Sequence, residues 1–531
     1  MEKLMNSIFF SALASIILVS CNERGTTINE TDGGDITYIT DVFSEDDVII
    51  EDIKGEIDSG LPKKLPFTIE RENEGEPLSN EEIISFTKKL MNFYKKVEFG
   101  KWVNRISHGV HKSTGYPDYM IWWHDVDPIK KGDTVIWHHS TRGGAHNPAI
   151  PTSKILGQMI AGYLLTGDED MKHIAEQYMK GVVAWMKGMV FDKNDPYQFV
   201  MARNIITFNH SYIIEGNKKK EVDYKDWYYP YEEWNAHRFE YKNNPYWGNI
   251  WVTNMRSKDD VPHIYRATAY IIYLEELAKD EDLRKVAEEA HYYMRGFTKD
   301  IVDSGYYIRT KDKYGKIYIP KEDLASFVTY EFMDPYAECN AKLATTLIAY
   351  SDPRGINCKK GGINSYEEVA VKNHYYNLEI VSNFHLDSQL FSIIKRQDRY
   401  AKSLTQGIIE RIDTYLSQVD TEFKNQKSFK GDMATYLIKA AAQGVPLKNS
   451  EARLIHKQYS LAIDDYLQWP YWDLWDPKIP DGQYPYDPYS ENGHVAIEDM
   501  FFVFEYCFSY FRAENGAKFV DCEIVRDKSK W

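Results

Sequence analysis

The apolar positions of this chain follow a helical period through much of its length. From Ser79 onward, Ile83, Phe86, Leu90 and Phe93 recur three or four residues apart and predict a helix, with Ser79-Asn80-Glu81-Glu82 as a capping box at its start. Pro151–Gly188 predicts a helical hairpin. Ile155, Met159, Ile160, Tyr163 and Leu164 make one face, Thr166-Gly167-Asp168-Glu169-Asp170 a turn, and Met171, Ile174, Ala175 and Tyr178 the face of a second helix. The pattern returns from Pro262, with Tyr265, Ala269, Ile272 and Tyr273, a turn at Lys279-Asp280-Glu281-Asp282, then Leu283, Val286 and Ala287. The turn acids match at an offset of 112 residues, which marks an internal repeat. Weaker copies run from Tyr375 to Leu416, turning near Arg396-Gln397-Asp398, and from Val495 to Phe511, while Tyr336–Tyr350 and Met433–Ala442 add helices. Ile205–Tyr212 and Tyr306–Ile319 read as strand-like pieces with Gly-bearing turns. Hairpins separated by long irregular connections predict a mainly α protein, an open superhelix or a closed ring. Few, unequal copies with long insertions favour the ring: a complete or incomplete (α/α) toroid with short β insertions.

Charge changes the picture at the N-terminus. Met1–Ser20 carries Lys3 and an apolar run from Ile8 to Val19, too short to span a bilayer, and reads as a secretory leader. Residues 22–80 hold 16 Asp or Glu against 5 Lys or Arg, so most of the net charge of −16 resides there. The expected organisation is a signal peptide at 1–20, an acidic flexible tether at 21–78 and a toroid domain at 79–531. The acidity excludes a generally basic nucleic-acid binder, yet the near-balanced remainder can still take an anionic substrate. Leu18-Val19-Ser20-Cys21 resembles the lipobox of bacterial lipoproteins. That resemblance implies a lipidated Cys21 and, with Asn22 following, the outer membrane, on its periplasmic or its cell-surface face. Of the other cysteines, 339 with 358 and 507 with 522 are sterically conceivable pairs among three possible pairings, and none forms a Cys-x-x-Cys.

The chain carries 40 Tyr, 24 Phe and 13 Trp. Most such rings are core, but sugar C–H faces also stack on them, and Trp122, Trp123, Trp137, Trp472 and Trp475 are candidate substrate-binding rings. Six of the 15 histidines fall between residues 108 and 146, which suggests the rim of a polar cleft. His108, His111, Asp125 and Asp127 are ligand-type residues without the spacing of a metal site. No cofactor is implied, and a divalent metal is the one option these residues leave open. Each repeat also sets a histidine at or shortly before its first helix: His146 with Asn147, His263, His374 between Asn373 and Tyr375, and His494. In a ring whose inner helices run one way, these would share one end, where unpaired backbone N–H groups favour anions. Against this, Asn and Gly are ordinary caps.

Hairpins, an exported lipoprotein leader and Asn–His pairs beside Tyr resemble the toroidal polysaccharide lyases of the alginate-lyase type. Asn209-His210-Ser211-Tyr212 is similar to the Asn-His-Ser-Tyr stretch of that group, and Arg256 and Tyr265 fall roughly where it keeps an Arg and a catalytic Tyr. Here the motif continues Ile213-Ile214-Glu215-Gly216-Asn217, which predicts a strand and turn in place of a helix start. Asn373–Leu404 resembles the helical domain of glucuronyl C5-epimerases. The resemblance implies abstraction of the C5 proton of a hexuronate. Asn, His or Arg would neutralise the carboxylate, His or Tyr would remove the proton, and Tyr would return one to the leaving oxygen. The implied catalytic set is His146, Asn147, Arg256, His263, Tyr265, Asn373, His374, Tyr375 and His494, with Asn209 and His210 binding substrate. Which is base and which acid stays open. Two rivals stand beside this reading. A glycoside hydrolase would draw paired carboxylates from Asp125, Asp127, Asp334, Glu491 and Asp499, with Trp469–Trp475 as a platform. A surface lipoprotein that binds glycan without catalysis needs the rings alone. In all three the partner is a polysaccharide or oligosaccharide, and the membrane is met through the lipid only.

Overall fold

Helix α1 (Asn80–Val97) opens as the capping box dictates: the Ser79 amide donates to Glu82 Oε2 at 2.7 Å, and the Glu82 amide donates to Ser79 Oγ at 3.2 Å. It belongs to a computed structural model that describes residues 70–97, 126–131, 134–139, 149–195, 199–206, 210–215, 218–223, 238–246, 248–254, 267–303, 309–319, 409, 412–413, 429–442, 444–468, 495, 499–513 and 516–531. All of these lie within one compact unit, residues 49–531.

The repeat is real. Helices α2 (Ala149–Thr166) and α3 (Glu169–Lys187) form one hairpin, α4 (Thr268–Leu277) and α5 (Glu281–Asp303) the second. Both turns work the same way. Asp168 accepts the Met171 amide at 2.9 Å, and Asp280 accepts the Leu283 amide at 3.0 Å, so the matched acids are N-caps of the second helices. A third hairpin joins α6 (Phe429–Ala442) to α7 (Asn449–Gln468). Helix α8 (Phe502–Ala513) and the short α9 (Cys522–Arg526) complete the helices.

These helices sort into two layers. In α2, α4, α6 and α8 nearly every described side chain is buried, as expected of helices apolar on all sides. They pack in the order α6, α8, α2, α4. Helices α7, α1, α3 and α5 keep an exposed polar face and lie against that first layer, α7 beside α1 and α3 beside α5. The ion pairs fix the directions. Lys172 near the start of α3 meets Asp280 at the start of α5, and Lys187 at its end lies 2.8 Å from Glu289, so these two helices are parallel. Their hairpin partners α2 and α4 are therefore parallel too. Arg453 pairs with Glu82 and Lys89 with Asp464, which makes α1 and α7 parallel. The Tyr94 hydroxyl near the end of α1 donates to the Met500 carbonyl just before α8, so α8 runs against α1 and along α6. Lys154–Asp499 near the starts of α2 and α8, and Gly162 beside Phe504 further along, set those two parallel. All four first-layer helices thus start at one end of the unit.

The short turns occupy the other end, and the N-terminal segment joins it. Residues 70–78 were expected to belong to the flexible tether, and they do not. Asn73 Oδ1 accepts the Asn449 amide and the Glu74 carbonyl accepts the Ser450 amide, each at 2.9 Å, capping α7. Arg453 donates to the carbonyls of Glu76 and Pro77 at 2.7 Å, and Leu78 is buried. Orphan amides at a helix start need acceptors, and this segment supplies them, so the packed domain begins by residue 70. Nearby, Gly516 (φ +91°) lets the chain cross the α6–α7 turn. A Cβ there would stand 2.5 Å from the Leu447 nitrogen.

The β insertions are antiparallel. Strands β1 (Val126–Lys131), β2 (Thr134–His139), β4 (His210–Glu215) and β5 (Lys218–Asp223) form one sheet in the order β1-β2-β4-β5; β3 (Asn204–Ile206), β7 (Gly248–Thr253) and β6 (Arg238–Asn244) form another. The expected single piece Ile205–Tyr212 is thus divided between two sheets. Its apolar run gave no signal of the change of partners, because pairing is decided by distant strands. Tyr306–Ile319 contains the small hairpin β8 (Thr310–Lys311) and β9 (Ile317–Tyr318), turning at Gly315. The Tyr336–Tyr350 helix, the Tyr375–Leu416 copy apart from 409 and 412–413, and the Cys339–Cys358 pair lie outside the described residues.

Helix α7 carries a titratable group into the interface with α1. His456 packs against Phe86 with ring centroids 4.7 Å apart. Burial lowers its pKa below the ordinary value of 6.5, with Glu82 offsetting part of the effect. The native state therefore holds the neutral ring, while the unfolded chain takes up the proton more readily. This contribution is complete above pH 6.5 and is lost as pH falls below it. Denaturant midpoints at pH 7.5 and 5.5 should show a smaller acid-induced loss in His456→Gln than in the parent. Equal losses would remove this residue from the account.

Candidate functional site

The common start of the first-layer helices holds an unusual density of buried polar side chains. Thr152, Ser153 and Lys154 sit in the first turns of α2, Thr268 begins α4, Thr435 lies on α6, and Asp499 precedes α8. Glu505 lies in the first turn of α8, and Gln158 and Lys439 are deeper in the same layer. Polar groups are costly in such a place unless paired, so their concentration here needs a reason.

The geometry centres on Asp499. The Tyr459 hydroxyl of α7 donates to the Asp499 carbonyl at 2.9 Å, and Tyr94 of α1 holds the next carbonyl. Burial pushes both phenols well above their ordinary pKa, helped at Tyr94 by Tyr459 and at Tyr459 by Asp499, so both remain protonated donors. Of the helix expected from Val495, the described α-helix spans Phe502–Ala513, and residues 496–498 lie outside the described residues. Two outer-layer tyrosines fix the backbone that carries Asp499. Its Oδ1 lies 3.4 Å from Lys154 Nζ, linking the starts of α2 and α8. The Lys439 ammonium stands 4.9 Å from the centre of the Phe502 ring.

A second polar group closes the end of α3 onto the three-stranded sheet. Lys187 pairs with Glu289 and lies 5.1 and 5.5 Å from the Tyr246 and Tyr293 ring centres. The fully buried Lys311 is held by Asp195 and, at 2.9 Å, by the Met189 carbonyl. Burial lowers its pKa and Asp195 restores part of the loss. Asn244 donates to the Lys187 carbonyl at 3.0 Å and Tyr241 to the Val190 carbonyl at 2.7 Å. These closed contacts anchor a sheet.

Of the sequence-derived candidates, Trp137 and His210 fall on described strands of the same sheet. The register sets Trp137 opposite Tyr212 and His210 opposite Asp223. His210–Glu215 is a strand, as its own residues predict and unlike the helix start of the resembling family. Asp127 of the hydrolase set pairs in register with His138. His146, Asn147, Arg256, His263, Tyr265, Asn373, His374, Tyr375, His494, Trp122, Trp123, Asn209, Trp472, Trp475 and Cys21 lie outside the described residues, as do Asp125, Asp334 and Glu491. Their places in the chain still bear on the site. His146 and Asn147 precede α2; Arg256, His263 and Tyr265 precede α4; His494 and the two later tryptophans stand between α7 and α8. Each of these stretches is followed in the chain by a first-layer helix.

Lys154, Tyr94 and Tyr459 were not singled out from the sequence. Lys154 left a signal, as the one charged residue of α2. The tyrosines left none, since both sit where core rings are expected. Among the described residues no group of three or more His, Cys, Asp or Glu is placed to hold a metal ion, and no helix is long and apolar enough to cross a membrane. No known protein family, curated protein or solved structure matches the chain.

Proposed function

We propose that the two helical layers are part of an (α/α) toroid whose open end is an active site for an acidic polysaccharide. The observation that carries this reading is the common direction of α2, α4, α6 and α8. The helices α2, α4 and α8, which follow His146, His263 and His494 in the chain, start at one end although they are far apart in sequence. The chemistry that fits is abstraction of the C5 proton of a hexuronate, followed by β-elimination. Arg256 and the Asn–His pairs neutralise the carboxylate, and His and Tyr side chains of the same set act as base and acid. Such acid–base help supplies roughly 10²–10⁴-fold in rate per group. Helix N-termini favour the anionic centre that forms.

A disulfide joins Cys507 and Cys522, as one of the sterically conceivable pairings anticipated. Such bonds persist in oxidising compartments, which supports the reading of Met1–Ser20 as an export leader, of Cys21 as the lipid-bearing residue and of the outer membrane as the destination.

The test is absorbance near 235 nm, where unsaturated uronates absorb, during incubation with a panel of uronic-acid polysaccharides. A rise is the expected result. New reducing ends without absorbance would replace elimination by hydrolysis, and binding without either would leave a glycan-binding protein.

A further inference from the structure

We propose that the corner where α3 ends is a binding subsite for an acidic polysaccharide. Tyr292, Tyr246 and Tyr314 stack on its sugar rings, and Lys193 and Lys313 meet its carboxylates. The inference rests on the reading that the site lies at the starts of the first-layer helices. Helix α3 runs back along α2, so its end belongs to that same end of the unit.

Five large hydrophobic residues are exposed among the described ones. Ile84 on α1 and Leu461 on α7 are single surface residues of the ordinary kind. The other three, Tyr292 on α5, Tyr314 in the β8–β9 turn and Ile319 just after β9, belong to elements packed around the end of α3. Rings follow one another across this corner. Tyr292 is 56% exposed and stands edge-on to Phe199 and to Tyr293, with centres 5.5 Å apart in each case. Gly296 makes room for Phe199, because a Cβ there would stand 2.1 Å from that ring. Lys187 links Tyr293 to the half-buried Tyr246. Past it, Phe191 stacks on Tyr241 at 3.8 Å and lies under Gly315 of the hairpin, whose Tyr314 is 79% exposed.

A phenol ring left in water forgoes the burial that drives such groups inward. A sugar restores it, since the C–H face of a pyranose covers the ring while the hydroxyls of both stay wet. Charge makes the sugar an acidic one. The carboxylates of the corner are engaged within it. Glu289 holds Lys187, and Asp195 holds Lys311. Asp192 accepts the Asn194 amide at 2.9 Å, and Asp312 accepts the Tyr314 and Lys316 amides at 2.8 and 3.0 Å. The exposed Lys193 and Lys313 meet rings instead, at 5.6 Å from the centre of Tyr246 and 5.1 Å from that of Tyr314. A uronate stacked on either ring has an ammonium beside it for its carboxylate. A neutral sugar gains the ring alone.

Calorimetric titration of the full chain with hexasaccharides of mannuronate, galacturonate and glucuronate, and with their carboxyl-reduced counterparts, tests this. The parent should bind an acidic sugar more tightly than its neutral counterpart. Tyr292→Ala/Tyr314→Ala should weaken both forms by roughly tenfold, the worth of two ring contacts. Lys193→Gln/Lys313→Gln should lose the preference for the acid and keep the neutral binding. Ile84→Ala/Leu461→Ala should bind as the parent does. Circular dichroism would confirm that each variant is folded. Undiminished binding by the folded tyrosine variant overturns the proposal, as does an acid preference that survives in the lysine variant or a parent that binds none of the sugars. The outcomes separate the subsite from the elimination chemistry. Absorbance near 235 nm from the parent, with undiminished binding by the tyrosine variant, sinks the subsite alone. Binding that follows the rings and lysines without any absorbance sinks the elimination alone.

Discussion

Arg71→Ala is expected to destabilise the protein by about 3–5 kcal/mol, the usual cost of removing one partner from a buried ion pair. The guanidinium grips Glu451 with two hydrogen bonds of 2.8 and 2.9 Å, and reaches the Pro446 carbonyl at 2.8 Å and Asp413 at 2.9 Å. The side chains of Arg71 and Glu451 are 4% and 1% exposed, so the alanine variant strands a carboxylate in the α6–α7 corner. Burial opposes the arginine's charge, but Glu451 and Asp413 more than offset it and keep the group charged. The double variant Arg71→Met/Glu451→Leu should recover most of the loss, since two apolar groups leave no charge unpaired. Chemical denaturation reads both. A loss below about 1 kcal/mol for Arg71→Ala, the range of an exposed pair, would mean that residues 70–78 do not hold the fold. The same experiment settles the domain start, because a chain beginning at residue 70 should match the full protein and one beginning at residue 79 should not.

Breaking the Cys507–Cys522 disulfide is the second large effect. The bond closes a 15-residue separation between α8 and α9, which by loop entropy contributes roughly 3 kcal/mol. What it secures is the last segment of the described chain, which lies across both layers. Phe519 packs near Phe86 and Tyr506, Lys528 pairs with the N-cap Asp168, and Trp531 lies over Phe504. Reductant should therefore lower the denaturant midpoint, and the Cys507→Ala/Cys522→Ala protein should match the reduced parent and ignore reductant. A parent midpoint unmoved by reductant would show that the bond does not contribute.

Local features of the fold were legible because their causes are local. The α1 capping box and the two hairpin turns depend on residues within a few positions of each other, and the sequence places them correctly; that the turn acids Asp168 and Asp280 cap the second helices is seen in the structure. The strand at His210 was also readable, where the residues after the motif outweighed the family resemblance. The failures share a different cause. Ile205–Tyr212 divided because its two parts pair with different strands; the tether ended early because Arg71 finds a partner almost four hundred residues away.

The same division applies to the site. By itself the sequence determined a mainly helical protein, a repeat at an offset of 112, an acidic N-terminal stretch and a histidine shortly before each first helix, since periodicity, composition and spacing are properties of the chain alone. Only the tertiary structure decided that the first-layer helices run one way, that Lys154 faces Asp499 and that Tyr94 and Tyr459 hold the turn between them and α8. Those contacts join residues hundreds of positions apart, and no local preference encodes them.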